Sequence, residues 1–214
     1  VTVAGDITAG GRYVVRASTH GAGAASATYG PGALTMDADR ARGVSAAAFG
    51  SGNANASSSG DISMTGDRSV GLSAFSHLGA ASATSTGTIT MGGVGAHGIV
   101  AVARGPVTVD AGDISATGEG ARGVVAVSKR DVVDIVVNGS VQGGWDAAEP
   151  LRVASSDGSH HGGHGFSSFA AGVVASARSE YGAITITNNG EIGALNDRAI
   201  VGHAPSITVN NTGG

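Results

Sequence analysis

Apolar and small polar residues alternate in short bursts along the whole chain. Ile62-Ser63-Met64, Ile89-Thr90-Met91, Ile114-Ser115-Ala116, Ile184-Thr185-Ile186 and Ile207-Thr208-Val209 all read this way. A period of two is the signature of a strand with one face buried. It assigns directions: Ile62, Met64, Leu72 and Ala74 face inward, while Asp61, Ser63 and Ser73 face outward. Glycine interrupts the pattern too often for the continuous 3.6-residue periodicity that a helical repeat needs, so the chain reads as all-β.

The bursts recur in a fixed phrase. Gly60-Asp-Ile-Ser-Met is followed by Gly71-Leu-Ser-Ala, Gly87-Thr-Ile-Thr-Met by Gly98-Ile-Val-Ala, and Gly112-Asp-Ile-Ser-Ala by Gly123-Val-Val-Ala. The opening glycines are Gly5, Gly32, Gly60, Gly87, Gly112, Gly139 and Gly190, about 27 residues apart except for the last gap. Each unit holds three short strands, exemplified by 61–64, 123–128 and 107–110. Such a unit cannot bury itself alone, but stacked units close a narrow apolar interior. The expected architecture is a parallel β-helix of seven coils, a single domain over 1–214 and a rod roughly 30–35 Å long. Leu34 and Met36, Ile89 and Met91, Ile114 and Ala116, Val141, and Ile192 and Ala194 continue the inward ladders. The Ala, Asn and Ser of the third strands at 24–28 and 53–59 predict a thinner, less stable N-terminal end and a sturdier run of coils 4 to 7. Asn138, Asn188, Asn189, Asn210 and Asn211 fall at the corner closing the third strand; stacked amides there could hydrogen-bond along a ladder, but they read first as turn formers.

Composition supports a thin core. Gly is 38 of 214 residues, aromatics are 4% and charged residues 13%. With so few large side chains the apolar positions must be used repetitively. Cys is absent, which removes disulfides and thiolate metal sites. A formal charge of −4 gives no footprint for nucleic acid. No stretch reaches the ~20 apolar residues of a membrane helix. The chain opens in mid-pattern at Val1, the start expected of a mature product or a fragment.

Three features carry candidate chemistry. Residues 145–168 interrupt coil 6 as an extruded insertion, the kind of excursion on which function tends to sit. It holds Trp145, Phe166 and the cluster His160, His161 and His164 near Asp157. The histidines have the donors for a metal ion, but glycine spacing on a loop gives them no preformed geometry. The insertion therefore reads as a polar cap, with no metal and no cofactor expected. Second, Val100, Val102, Val125 and Val127 are outward positions of second strands, extended by Phe75 and Val174. The expected cover for this stripe is the insertion itself or else a partner chain. Third, Arg12, Arg42, His97, Arg122 and Arg198 lie just before the expected position of the second-strand glycine in coils 1, 2, 4, 5 and 7. They would stack into a positive edge able to meet anionic groups, or pair with Asp39, Asp67, Glu119 and Asp197.

Catalytic constellations are poorly supported. Ser167, His164 and Asp157 crowd one Gly-rich loop, whereas hydrolytic triads come from separated rigid elements. Asp6, Asp61 and Asp113 align at first-strand starts without a neighbouring Lys. Asp61 and Asp113 would stand two coils apart, about 9–10 Å, at the limit of an inverting glycosidase pair. No enzymatic activity is expected.

The Gly-Asp-Ile-x-(Ala/Met) phrase, with the closures Ile207-Thr-Val-Asn-Asn and Ile184-Thr-Ile-Thr-Asn-Asn-Gly-Glu-Ile, resembles the passenger domains of autotransporters. These are the secreted parts of Gram-negative type V secretion proteins, among them pertactin-like adhesins. The resemblance implies a right-handed β-helix on the bacterial surface or secreted from it. Export would use a C-terminal outer-membrane barrel beyond residue 214. It also implies a virulence-associated role in adhesion to a host-cell or extracellular-matrix ligand. A stalk or self-association segment is the alternative, and a carbohydrate-active β-helix a more distant one.

Overall fold

The computed structural model describes residues 1–145, 170–195 and 198–212. They form a β-solenoid of about seven turns of ~27 residues, three strands to a coil, with no helix among the described residues. The first sheet stacks Ile7–Ala9, Ala33–Met36, Asp61–Met64, Ile89–Met91, Ile114–Ala116, Ser140–Gly143 and Glu191–Ala194. The second stacks Tyr13–Thr19, Arg42–Ala48, Val70–Ser76, His97–Ala103, Arg122–Ser128, Ala171–Ala177 and Arg198–His203. The third stacks Thr2–Val3, Ala25–Tyr29, Ala54–Ser58, Ala81–Ser85, Val107–Ala111, Val133–Val137, Ala183–Asn188 and Ser206–Asn211. All pairings are parallel and in register, so Ile62, Ile89, Ile114, Val141 and Ile192 form one column.

Column registry explains the repeated phrase. A methyl added at Gly98 would lie 2.4 Å from Ile114 Cγ2 and 2.6 Å from the Gly123 carbonyl oxygen. In coils 2 to 6 the second-strand glycine is thus the space into which the next coil's first-strand aliphatic residue packs. Gly-x-Ile and the later Gly are two halves of one contact.

The inward residues change character along the rod. In coils 2 and 3 the first sheet contributes Leu34 and Met36, then Ile62 and Met64, while the third contributes Ala54 and Ala56, then Ala81 and Ala83. In coils 5 and 6 the first sheet shrinks to Ile114 with Ala116, then Val141 with Gly143. There the third grows to Val133 and Ile135, then Ile184 and Ile186. The interior is one continuous cluster throughout, so a bulky first sheet accompanies a small third sheet and the reverse. The expected thin N-terminal end is filled. Tyr29, fully buried in coil 1, occupies the corner between third and first sheets and donates its hydroxyl to the Gly5 carbonyl at 2.8 Å. In coil 7, Ile207 is 45% and Val209 48% exposed.

The corners are polar ladders. Between first and second strands, Arg40, Arg68, Gly95 and Gly120 take φ of 54°, 54°, 62° and 64°. Each donates its N–H to the next coil, at Asp67, Val94, Glu119 and Trp145. The asparagines do more than turn. Asn138 Nδ2 donates to Asp110 at 2.7 Å, Asn189 Nδ2 to Asn138 at 2.9 Å, and Asn188 Nδ2 to Asn211 at 2.9 Å. None of them takes a positive φ. Their amides bridge coils, because parallel in-register stacking places like side chains within one hydrogen bond of each other.

Candidate binding surface

The second sheet differs from the others in having both faces lined by largely buried residues. Around each second-strand glycine the chain turns so that the residue before it faces out. Arg42 Nη1 reaches the Ser73 Oγ on the outer face at 3.3 Å, while Gly43 lies against Ile62 and Leu34 in the core. The outer face therefore carries three files. The edge file is Tyr13, Arg42, Val70, His97, Arg122, Ala171 and Arg198. The middle file runs Ser45, Ser73, Val100, Val125, Val174 and Val201, and the last runs Ala47, Phe75, Val102, Val127, Ser176 and His203.

The outward valines predicted from alternation are on this face, and they gather into a satellite cluster separate from the core. Val125, Val127 and Val174 are buried in it, while Val100, Val102 and Val201 are partly exposed. Residues 146–169, the cover expected for the stripe, lie outside the described residues, and with them His160, His161, His164 and Phe166. Trp145, the last described residue before that gap, is bridged to Glu119, accepts the Gly120 N–H through its carbonyl at 2.8 Å and is exposed.

An aromatic patch missed by the pattern reading adjoins the valines. His20 stacks on Phe49 at 5.0 Å between centroids, and Phe49 meets Phe75 at 5.8 Å. Phe49 is exposed. It falls at a strand end, where alternation no longer assigns a direction; only the stacking of coils reveals the row.

The basic edge is corrected in register and in character. Arg12 is one residue off: Tyr13 pairs with Arg42, and Arg12 only accepts the Arg42 N–H through its carbonyl. Val70 and Ala171 interrupt the file, and Arg122 is buried. His97, beside Arg122, has a buried Nδ1 without a hydrogen-bond partner. Burial, and secondarily the Arg122 charge, lower its pKa to about 4, against the pull of a backbone hydrogen bond at Ala96. It is a neutral imidazole at pH 7 and adds no charge to an anion site. The acids have other duties. Asp39 accepts the Asp67 N–H and Asp67 the Val94 N–H, each at 2.9 Å.

The aligned first-strand aspartates are tied down in the same way. Asp6 accepts the N–H of Ala33, Asp61 that of Thr88 and Asp113 that of Ser140, at 2.8–2.9 Å. Each caps the start of the next coil's first strand. No group of three or more His, Asp or Glu able to hold a metal occurs among the described residues. Compared with known proteins, the chain matches no family model, no curated protein and no solved structure.

Proposed function

We propose that this chain is a non-enzymatic binding segment displayed on a bacterial surface, engaging a host-cell or matrix macromolecule through the outer face of its second sheet. The observation that carries the reading is the apolar patch of Phe49, Phe75, Val100 and Val102. Phe49 is exposed and the other three are partly exposed, on an all-β rod whose other two sheets turn mostly Ser, Thr, Asn and Asp outward. Flat, contiguous apolar surface of this kind marks contact with another macromolecule. Capping duty for Asp6, Asp61 and Asp113 supports a binding role over carbohydrate cleavage. The autotransporter-like phrase supports export and adhesion as the setting.

Adhesion of the purified chain to cultured host cells and to immobilised matrix proteins tests this. The double variant Val100→Lys/Val102→Lys places two charges on the patch and leaves the interior untouched. Binding should fall by about tenfold or more with the circular dichroism spectrum unchanged. Undiminished adhesion by this variant would remove the face from the mechanism. Glycan release by the wild-type chain would favour the enzymatic alternative.

A further inference from the structure

We propose that the corner between the second and third sheets is a binding track for a linear sulfated polysaccharide laid along the rod. This goes beyond the apolar patch and stands apart from it, since it uses charge at the strand ends, across the face from Arg42 and Arg122. Parallel stacking fixes what lies at that edge. The file Phe75, Val102, Val127 and Ser176 is followed, two residues later in each coil, by His77, Arg104, Lys129 and Arg178. The backbone ladder reaches this position: His77 donates its N–H to Ala48, Lys129 to Ala103 and Arg178 to Ser128, at 2.8–3.0 Å. Alternation turns it outward, as Phe49 at the same position of coil 2 does in meeting Phe75 at 5.8 Å between centroids. Coils 3 to 6 thus present one basic residue each, about 4.8 Å apart, with Arg130 beside Lys129. Arg104 is partly exposed and the other four are exposed.

Charge is sorted around the rod. Every described Lys and Arg lies on the second sheet or at one of its two flanking corners. No second-sheet strand holds Asp or Glu among the described residues, whereas Asp110 and Asp134 stand side by side in register on neighbouring third-sheet strands and Asp61 and Asp113 open first-sheet strands. The two flanking corners also differ. At the one before the second sheet, Arg40 and Arg68 are interleaved with Asp39, Asp67 and Glu119. At the one after it, only Asp131 and Glu180 accompany the bases among the described residues. Asp131 accepts the N–H of its own neighbour Val132 at 2.9 Å, so its carboxylate serves the turn.

Like charges held directly across from one another repel, so this file works against the stacking that creates it. Anions lying along the corner relieve that repulsion. Guanidinium forks and an ammonium suit the oxygens of sulfate groups, and a chain that repeats such groups can meet coil after coil. The formal charge of −4 and the aspartates of the adjoining third sheet oppose a broad polyanion such as duplex nucleic acid, which would reach past the corner. A single polysaccharide chain can stay on the file.

Titration calorimetry of the purified chain with heparin as the probe, at low and at physiological salt, tests the proposal. Heparin should bind, and more weakly as salt rises. Lys129→Ser/Arg130→Ser should weaken binding by about tenfold or more, at a thermal midpoint no lower than that of the unsubstituted chain because both side chains are exposed. Lys129→Arg should retain it. Val100→Lys/Val102→Lys should bind heparin at least as well as the unsubstituted chain, so failure of the apolar patch and failure of the track are told apart. Absence of heparin binding overturns the proposal, as does binding that Lys129→Ser/Arg130→Ser leaves unchanged. Equal affinity for desulfated heparin overturns the assignment to sulfate, and tighter binding of a single-stranded oligonucleotide than of heparin overturns the assignment to a polysaccharide.

Discussion

Coils 2 and 3 and coils 5 and 6 solve one packing problem in opposite ways. Near the N-terminus, Met36 and Met64 reach from the first sheet toward a third sheet of paired alanines; further on, Ala116 and Gly143 leave room for Val133, Ile135, Ile184 and Ile186. Coil 4 is the join and carries both Met91 and the pair Val107 and Val109. The lesson is that a solenoid of fixed backbone repeat need not have a fixed side-chain repeat. Inward volume can pass from one sheet to another between coils, because interiors tolerate exchange of volume better than its loss or excess.

The sharpest way to break this comparison is to rewrite coil 5 in the manner of coil 3. Val133→Ala with Ile135→Ala should cost about 5 kcal/mol through the cavity left behind. Ala116→Met alone should cost about 1–3 kcal/mol through overpacking beside Met91. In the triple variant the new Met fills part of the new space, so the total should fall below the sum by at least about 1 kcal/mol. Denaturant unfolding of the four proteins measures this. Strict additivity would mean that the first and third sheets do not share volume.

A second, smaller effect sits at the join. His97, in coil 4, has a folded pKa of about 4, below the ordinary value of 6.5. The unfolded chain therefore binds the proton first as pH falls. His97 weighs nothing against the fold above pH 6.5; stability declines from there to about pH 4 and levels below, by at most about 3 kcal/mol. His97→Val, which copies Val70 one coil earlier, should flatten that part of the stability curve. If the variant keeps the same decline between pH 6.5 and 4, the titrating group is elsewhere.

The architecture was legible because the repeat writes the same contact many times: Gly, then an aliphatic residue one coil later. Directions on the flat parts of strands were equally legible, which is why Val100 and Val102 were found. What escaped depends on relations between coils or sheets. Tyr29 is one residue in a run of Ala and Ser, and its filling of coil 1 follows from the corner it reaches. Arg12 was misplaced by one residue because coil 1 has Val14 where the later coils have the glycine that marks the register, and a one-residue slip reverses a side chain. The aspartates looked like candidate acids because their N–H partners lie about 27 residues away in sequence and one strand away in space.

The smallest predicted effect separates the two halves at a corner. The same left-handed position is Arg40 and Arg68 toward the N-terminus and Gly95 and Gly120 toward the C-terminus, all making the same hydrogen bond to the next coil. An L-residue there is strained by about 1 kcal/mol, whereas glycine is not. Arg68→Gly should therefore raise the thermal midpoint and Gly95→Ala lower it, each by about 2–4 °C for a chain of this length. A methyl at Gly95 would meet nothing nearer than Arg68 Cγ at 3.7 Å, so its cost is conformational and not steric. Opposite shifts of similar size would show that the two halves share one corner geometry under different residues. If Arg68→Gly lowered the midpoint, the Arg68 side chain would be contributing more than its backbone strain removes.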